Sequence, residues 1–189
     1  MEMAIVPVYN CFHPVMKQKT EDVQEFGDDI RTIAQNLIDT MIGTGNGVGL
    51  AANQIGERKS IFVIDKNIKK EEKPDPIVII NPKILAFSEE TEEQTEGCLS
   101  VPELWEDVER AKEIEVLYYD LDMKEIKATF SDFMARVFQH EYDHLQGILF
   151  FERISPLRKM LIKNKLKKIE KGQILPDYPM ILPDGRLAK

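Results

Sequence analysis

Two histidines four residues apart, His140 and His144, continue an apolar stripe begun by Phe133 and Val137, and no other pattern constrains the chain as tightly. The four residues fall at i, i+4, i+7 and i+11, which is one face of an α-helix. A helix that buries imidazoles must give them partners, because a polar group taken out of water without one is destabilising. Side chains at i and i+4 stack at about 5–6 Å between Cβ atoms, so two ring nitrogens can share one metal ion. Glu141 stands roughly 100° around the helix from His140, where a carboxylate reaches a water beside a metal more readily than the metal itself. Ser131 reads as the N-cap and Gly147 as the stop. The spacing therefore predicts one helix carrying the whole His140-Glu141-Tyr142-Asp143-His144 motif.

A hydrolytic metal centre needs a third protein ligand and an open position for water. Cys98 is the best candidate, in Glu96-Gly97-Cys98-Leu99-Ser100, where Gly97 permits close backbone approach and strand-like surroundings hold the thiolate. Read alone, Cys98 is a small buried hydrophobe, as most free cysteines are. A further segment, Gly47-Val48-Gly49-Leu50-Ala51-Ala52-Asn53-Gln54, has small residues that leave room for a substrate backbone. It ends in an amide side chain able to donate to a developing oxyanion.

Together, Gly47–Gln54, Glu96–Ser100 and His140–His144 resemble the three signature segments of the peptide deformylases, in their usual order. The resemblance spans roughly residues 5–155, including Gln139 before the motif and Leu145, Gly147 and Leu149-Phe150 after it. It implies an α+β fold with antiparallel β-sheets around a central metal-binding helix, and a C-terminal helix. It implies Cys98, His140 and His144 as metal ligands, Glu141 as catalytic acid and base, and Gln54 with the Leu99 amide as oxyanion donors. The implied reaction is hydrolysis of the N-terminal formyl group from formylmethionine of newly synthesised polypeptides, releasing formate. A thiolate with two imidazoles suits zinc on softness, whereas the resemblance implies Fe2+, with Ni2+, Co2+ or Zn2+ as substitutes.

The substrate-binding residues expected are Val48, Gly49, Gly97, Phe133 and Val137. Crowding at Gly97 and Cys98 leaves room for a formyl hydrogen but not for a branched Cα. Phe133 and Val137 wall an apolar slot for methionine, and the substrate backbone pairs beside Gly49 as an added strand. Two positions depart from the family pattern or fall where it varies: Asn53, where many members carry proline, and Trp105. A zinc metalloprotease would share the histidine motif but take a downstream carboxylate or histidine as third ligand, and none in a fitting helical context stands out. A catalytically silent module is disfavoured because both Glu141 and Gln54 are present.

With 189 residues, 43% apolar and 31% charged, the chain reads as a single domain, with a core at about 1–155 and a basic helix and extended tail at 156–189. A net charge of −8 argues against DNA as a partner, though not against a local basic patch. There is no long apolar run for a membrane and no basic-then-apolar leader at Met1–Tyr9. Only two cysteines occur, which fits a reducing compartment. The expected location is cytoplasmic, in a bacterial cell.

Along the chain, Ile5–Val8 reads as a short extended segment interrupted by Pro7, and His13 as a turn or surface histidine. Asp28–Met41 has helical spacing and ends at Gly43 and Gly45. Ser60–Asp65, Ile77–Ile80, Ile84–Phe87, Glu113–Tyr119 and Glu125–Phe130 read as strands, with Lys66–Pro76 a mobile surface loop. Glu89, Glu90, Glu92, Glu93 and Glu96 read as a solvated acidic turn or edge. Ser155-Pro156 opens a basic helix closed by Gly172, anchored by Leu157, Leu161 and Ile169. That helix is either a solubilising surface or an RNA-facing patch, and the resemblance implies ribosome docking through residues 156–171. Leu175–Leu182 lies extended over the body or frays.

Overall fold

A computed structural model describes residues 5–67 and 72–188. Its strands are β1 (Val8–Tyr9), β2 (Gly49–Ala51), β3 (Ile61–Asp65), β4 (Pro76–Phe87), β5 (Thr91–Cys98), β6 (Val101–Ala111), β7 (Glu113–Tyr119), β8 (Glu125–Ser131), β9 (Met180–Ile181) and β10 (Leu187–Ala188). The helices are α1 (Asp28–Gly43), α2 (Asp132–Leu145) and α3 (Pro156–Glu170). Strands β2-β3-β4-β7-β8 form one antiparallel sheet, β5 and β6 a separate hairpin, and β1-β9-β10 a small sheet whose β1–β9 pairing is parallel. This is the expected α+β architecture. None of the described helices is long and apolar enough to cross a membrane.

Strand periodicity explains why the large sheet carries a helix on each face. Alternate residues of a strand point to opposite sides, so Ile61 and Val63 meet α1 while Phe62 and Ile64 meet α2. Ile30, Ile33, Leu37 and Met41 of α1 pack on the first face, and Ala135, Phe138 and Leu145 of α2 on the second. Phe138 meets Phe62 edge-on with ring centroids 5.0 Å apart. Each such fully buried aromatic contributes roughly 1.5–3 kcal/mol through removal from water. The other side of α2 faces the hairpin, where Val101, Leu104 and Val108 join Phe150, Ile162 and Ile169 in a third cluster. The motif helix is thus clamped between two layers.

Several sequence expectations change in detail. Ile77–Ile80 and Ile84–Phe87 belong to the single strand β4, which runs through an irregularity at Asn81-Pro82, where Asn81 has φ 50°. Strand β6 was not anticipated, because its inward face carries Glu106 and Arg110 among the apolar residues. Ser131 occupies the N-cap position of α2 without capping it, and its hydroxyl bonds Glu113 instead. Helix α3 starts and stops as expected, with Ser155 Oγ accepting from the Arg158 N–H at 3.2 Å. Its anchors, however, are Ile162, Leu166 and Ile169 at i, i+4 and i+7, while Leu157 and Leu161 are each 61% exposed. Part of the Lys66–Pro76 loop, residues 68–71, lies outside the described residues. Its base is closed by Asp65 Oδ1, which accepts from the N–H groups of Asn67 and Asp75.

Candidate metal centre and substrate cleft

Cys98, His140 and His144 converge although 42 or more positions separate the cysteine from the histidines, and their ligand atoms all lie within 4.8 Å of one another. His144 Nε2 stands 3.3 Å from Cys98 Sγ and 3.2 Å from His140 Nε2. An ion with ligand bonds of roughly 2.0–2.3 Å at tetrahedral angles separates its ligand atoms by roughly 3.3–3.7 Å, so the three donors fit one such ion. The helix supplies the two histidines at i and i+4, and β5 delivers the cysteine at its last residue. Both imidazoles are buried. Both present Nε2 to the shared position; His140 Nδ1 is engaged elsewhere, 2.9 Å from Glu96 Oε2, whereas His144 Nδ1 has no hydrogen-bond partner among the described residues. A carboxylate behind a ligating histidine fixes ring orientation and raises its basicity.

Glu96 corrects the reading of the acidic run. Glu89, Glu90 and Glu93 are exposed, whereas Glu96 is buried and serves three partners. Arg110 grips it with a bidentate fork, at 2.5 Å from Nε and 2.9 Å from Nη2, and Arg136 Nη1 donates at 2.8 Å. Burial alone would raise its pKa, but the Arg110 and His140 contacts outweigh that and hold the carboxyl well below the usual carboxylate range. Arg110 also reaches Asp143 Oδ2 at 2.8 Å, and Arg153 closes the network from the other side of Asp143. Sequence reasoning missed Arg110, Arg136, Asp143 and Arg153. For Arg110 the available signal was charge at an inward-facing strand position, visible only once β5 and β6 are paired; Arg136 and Asp143 lie on α2 and Arg153 beyond it, and only the tertiary contacts bring them together.

Glu141 lies beside the ligands, buried, with its Oε2 lacking any hydrogen-bond partner among the described residues. Burial, chiefly, raises its carboxyl to about 7, opposed by His140 and reinforced by Glu96. Gly49 makes room for it: a Cβ there would stand 2.6 Å from Glu141 Oε1. Gln54 is fixed at both ends of its amide. Its Oε1 accepts from the Ala51 N–H at 2.9 Å, which turns Nε2 towards Ser100 Oγ at 3.1 Å and Cys98 Sγ at 3.4 Å. Asn53 lands on the motif helix itself, donating from Nδ2 to the His144 carbonyl at 2.6 Å.

A cleft of about 410 Å³ opens over these groups. Val48, Gly49, Gln54, Gly97, Cys98, Leu99, Phe133, Val137, His140 and Glu141 all line it, so every sequence-selected site residue except His144 reaches its wall. His144 sits below, almost fully buried. Trp105 crosses over Gly97, where a Cβ would collide with the indole at 2.6 Å. The tail adds Leu175, Pro176, Asp177 and Tyr178 to the same wall. His13 stays apart from the centre, capping the turn at Pro14–Lys17 by accepting from the Val15 N–H.

Comparison with known proteins gives the same answer as the geometry. Residues 5–160 match the family model described as polypeptide deformylase. The peptide deformylase of Salinibacter ruber is 37% identical over 188 residues, covering 95% of this chain and 96% of that one. The Pseudothermotoga lettingae peptide deformylase is 44% identical over 165 residues, covering 87% and 92%. Among solved structures, a plant peptide deformylase superposes with a TM-score of 0.84 at 28% identity, covering 92% of this chain and 93% of that one. The Thermotoga maritima peptide deformylase gives 0.75 at 37% identity, covering 81% and 99%. With the family match covering residues 5–160, which carry the convergent donor set and most of the cleft wall above it, this chain belongs to the polypeptide deformylase family.

Proposed function

We propose that Cys98, His140 and His144 hold one divalent metal ion and that Glu141, Gln54 and the Leu99 amide carry the reaction beside it. The reaction itself is that of the family: removal of the N-terminal formyl group from newly synthesised polypeptides, with release of formate. The observation that carries the residue assignment is the convergence of one sulfur and two imidazole nitrogens within 4.8 Å at the floor of the cleft. When bound, the ion acts as a Lewis acid that polarises a carbonyl oxygen and makes water more acidic. Ferrous iron is our assignment for it, on the family resemblance, with nickel, cobalt or zinc as substitutes.

Glu141 takes the proton of the attacking water and returns it to the departing amine, a role suited to a buried carboxyl with an unengaged oxygen. Gln54 Nε2 and the Leu99 N–H stabilise the negative charge that develops on the formyl oxygen, each such donor contributing roughly 3 kcal/mol. The substrate backbone lies along the outer edge of β2 at Val48 and Gly49, since β2 ends its sheet. Phe133 and Val137, both on the cleft wall, take the methionine side chain, and crowding around Gly97 and Cys98 admits a formyl hydrogen but not a branched Cα.

We further propose that the whole chain works as one unit, a core to about residue 155 with a C-terminal helix and tail, in the cytosol. Helix α3 would dock on the ribosome, supported by exposed Leu157, Met160 and Leu161 beside Arg158, Lys159 and Lys163. Formate release from formyl-Met-Ala-Ser by anaerobically prepared, iron-loaded protein tests the catalytic reading. Turnover should vanish in Glu141→Ala with metal retained, and in Cys98→Ala with metal lost. Faster cleavage of the unformylated peptide would instead establish a protease.

A further inference from the structure

We infer that Tyr178, on the tail beyond α3, is a positioning residue that holds the Leu99-Ser100 turn in its working geometry, so that the C-terminal strap completes the active site. This rests on the assignment of the Leu99 N–H as an oxyanion donor. Leu99 and Ser100 are the two residues between Cys98 and Val101, which pair with each other, so they form the tip of the β5–β6 hairpin. Residues at a hairpin tip lie outside the strand ladder and take their position from whatever else holds them.

Three contacts supply that hold. Tyr178 Oη donates to the Leu99 carbonyl at 2.7 Å, the Cys11 N–H donates to the Ser100 carbonyl at 2.9 Å, and Gln54 Nε2 reaches Ser100 Oγ at 3.1 Å. The tip is therefore tied to both ends of the chain and to the other oxyanion donor. Tyr178 is well placed for this because the strap is itself sewn down. Val8 N–H donates to the Pro179 carbonyl at 2.9 Å and Asn10 N–H to the Ile181 carbonyl at 2.8 Å, while Met180 is buried. Asn10 Nδ2 also caps the end of α3 through the Ile169 carbonyl. Burial raises the phenol pKa, so the hydroxyl keeps the proton it donates. Leu175, Pro176 and Asp177, immediately before it, wall the cleft. A displacement of about 1 Å at a reacting group can lower a rate by as much as 100-fold, so the carbonyl tie acts on chemistry more than on affinity.

The test is Tyr178→Phe, which keeps the ring and removes only the hydroxyl, with Asp184→Ala on the exposed tail turn as the control for tail damage. Both are loaded to the same metal content as the wild type and assayed with formyl-Met-Ala-Ser. The expected result for Tyr178→Phe is a kcat lower by roughly five- to tenfold with KM within about twofold. Its Tm should stay within about 2 °C, and the Leu99 and Ser100 amide resonances should shift while those of α2 do not. Asp184→Ala should match the wild type. Unchanged kcat in Tyr178→Phe, or parallel losses in kcat, KM and Tm, would overturn the inference. Gln54→Ala separates the two levels: full turnover in that variant sinks the oxyanion reading itself, whereas its loss beside an active Tyr178→Phe sinks only the role of Tyr178.

Discussion

Gly49 and Glu141 occupy neighbouring space so closely that one methyl group decides whether the carboxylate can stay where it is. A Cβ on Gly49 would approach Glu141 Oε1 to 2.6 Å and its Cγ to 2.9 Å, and Glu141 sits on a helix packed on both sides. The carboxylate must then give way. Gly49→Ala is expected to fold and to bind metal normally while losing roughly 100-fold in kcat, because the proton carrier is displaced by about an ångström. Equal metal content with wild-type kcat would show that Glu141 has slack. Asn53 is a second residue whose effect can be stated in advance. Its bond to the His144 carbonyl is short and buried, and Asn53→Ala removes it, leaving that carbonyl with only the Gly147 N–H at 3.0 Å. A loss of about 0.5–1.5 kcal/mol in urea unfolding is expected, with the metal site intact. At this scale the sequence was most legible, since ligands and acid–base groups are few in type and their spacing on a helix or beside a glycine is characteristic. Tyr178 was invisible, because a tail tyrosine carries no signal until the tail is seen folded back.

The hairpin β5–β6 shows why elements are harder to read than motifs. Strand β6 alternates correctly, with Pro102, Leu104, Glu106, Val108 and Arg110 buried, but two of these are charged, so hydrophobic alternation fails as a guide. Those charges are inward because each has a partner: Arg110 with Glu96, and Glu106 with Arg158 from α3. The same cause hid Glu96 within a run of glutamates whose other members are solvated. Helices α1 and α2 and strands β7 and β8 were legible because their buried faces are apolar. Helix α3 was legible in extent but not in facing, since it offers two apolar stripes and only the tertiary contact selects Ile162, Leu166 and Ile169. Two contrasts follow. Arg110→Ala takes one cation from two buried carboxylates, leaving Glu96 to Arg136 and His140 and Asp143 to Arg153, and should destabilise by roughly 3–5 kcal/mol, whereas Lys112→Ala, which breaks the exposed pair with Glu90, should leave the urea midpoint unchanged. Ile169→Ala should lose roughly 2–5 kcal/mol, against no measurable change for Leu161→Ala. Equal effects within either pair would mean that the packing described for that element is wrong.

Across the whole molecule, the proposed centre is where separate layers meet. Cys98 comes from the hairpin, whereas His140 and His144 come from the helix seated on the five-stranded sheet, so an ion held by all three ties the hairpin to the rest of the fold. An ion that binds the folded chain and not the unfolded one stabilises it by mass action, by about 2.7 kcal/mol at one hundred times the dissociation constant. Chelation should therefore lower the Tm, and adding back a divalent ion should restore it in a concentration-dependent way. The variants divide the effect between binding and chemistry. Glu141→Gln keeps all three donors and should respond to added metal as the wild type does while releasing no formate. Cys98→Ala keeps Glu141 but loses a donor, so its Tm should no longer respond to chelator or to added ion. If chelation leaves the wild-type Tm unchanged, or Cys98→Ala still gains stability from metal, then the ion is not held by this set, and the ligand assignment fails whatever the formate assay reads.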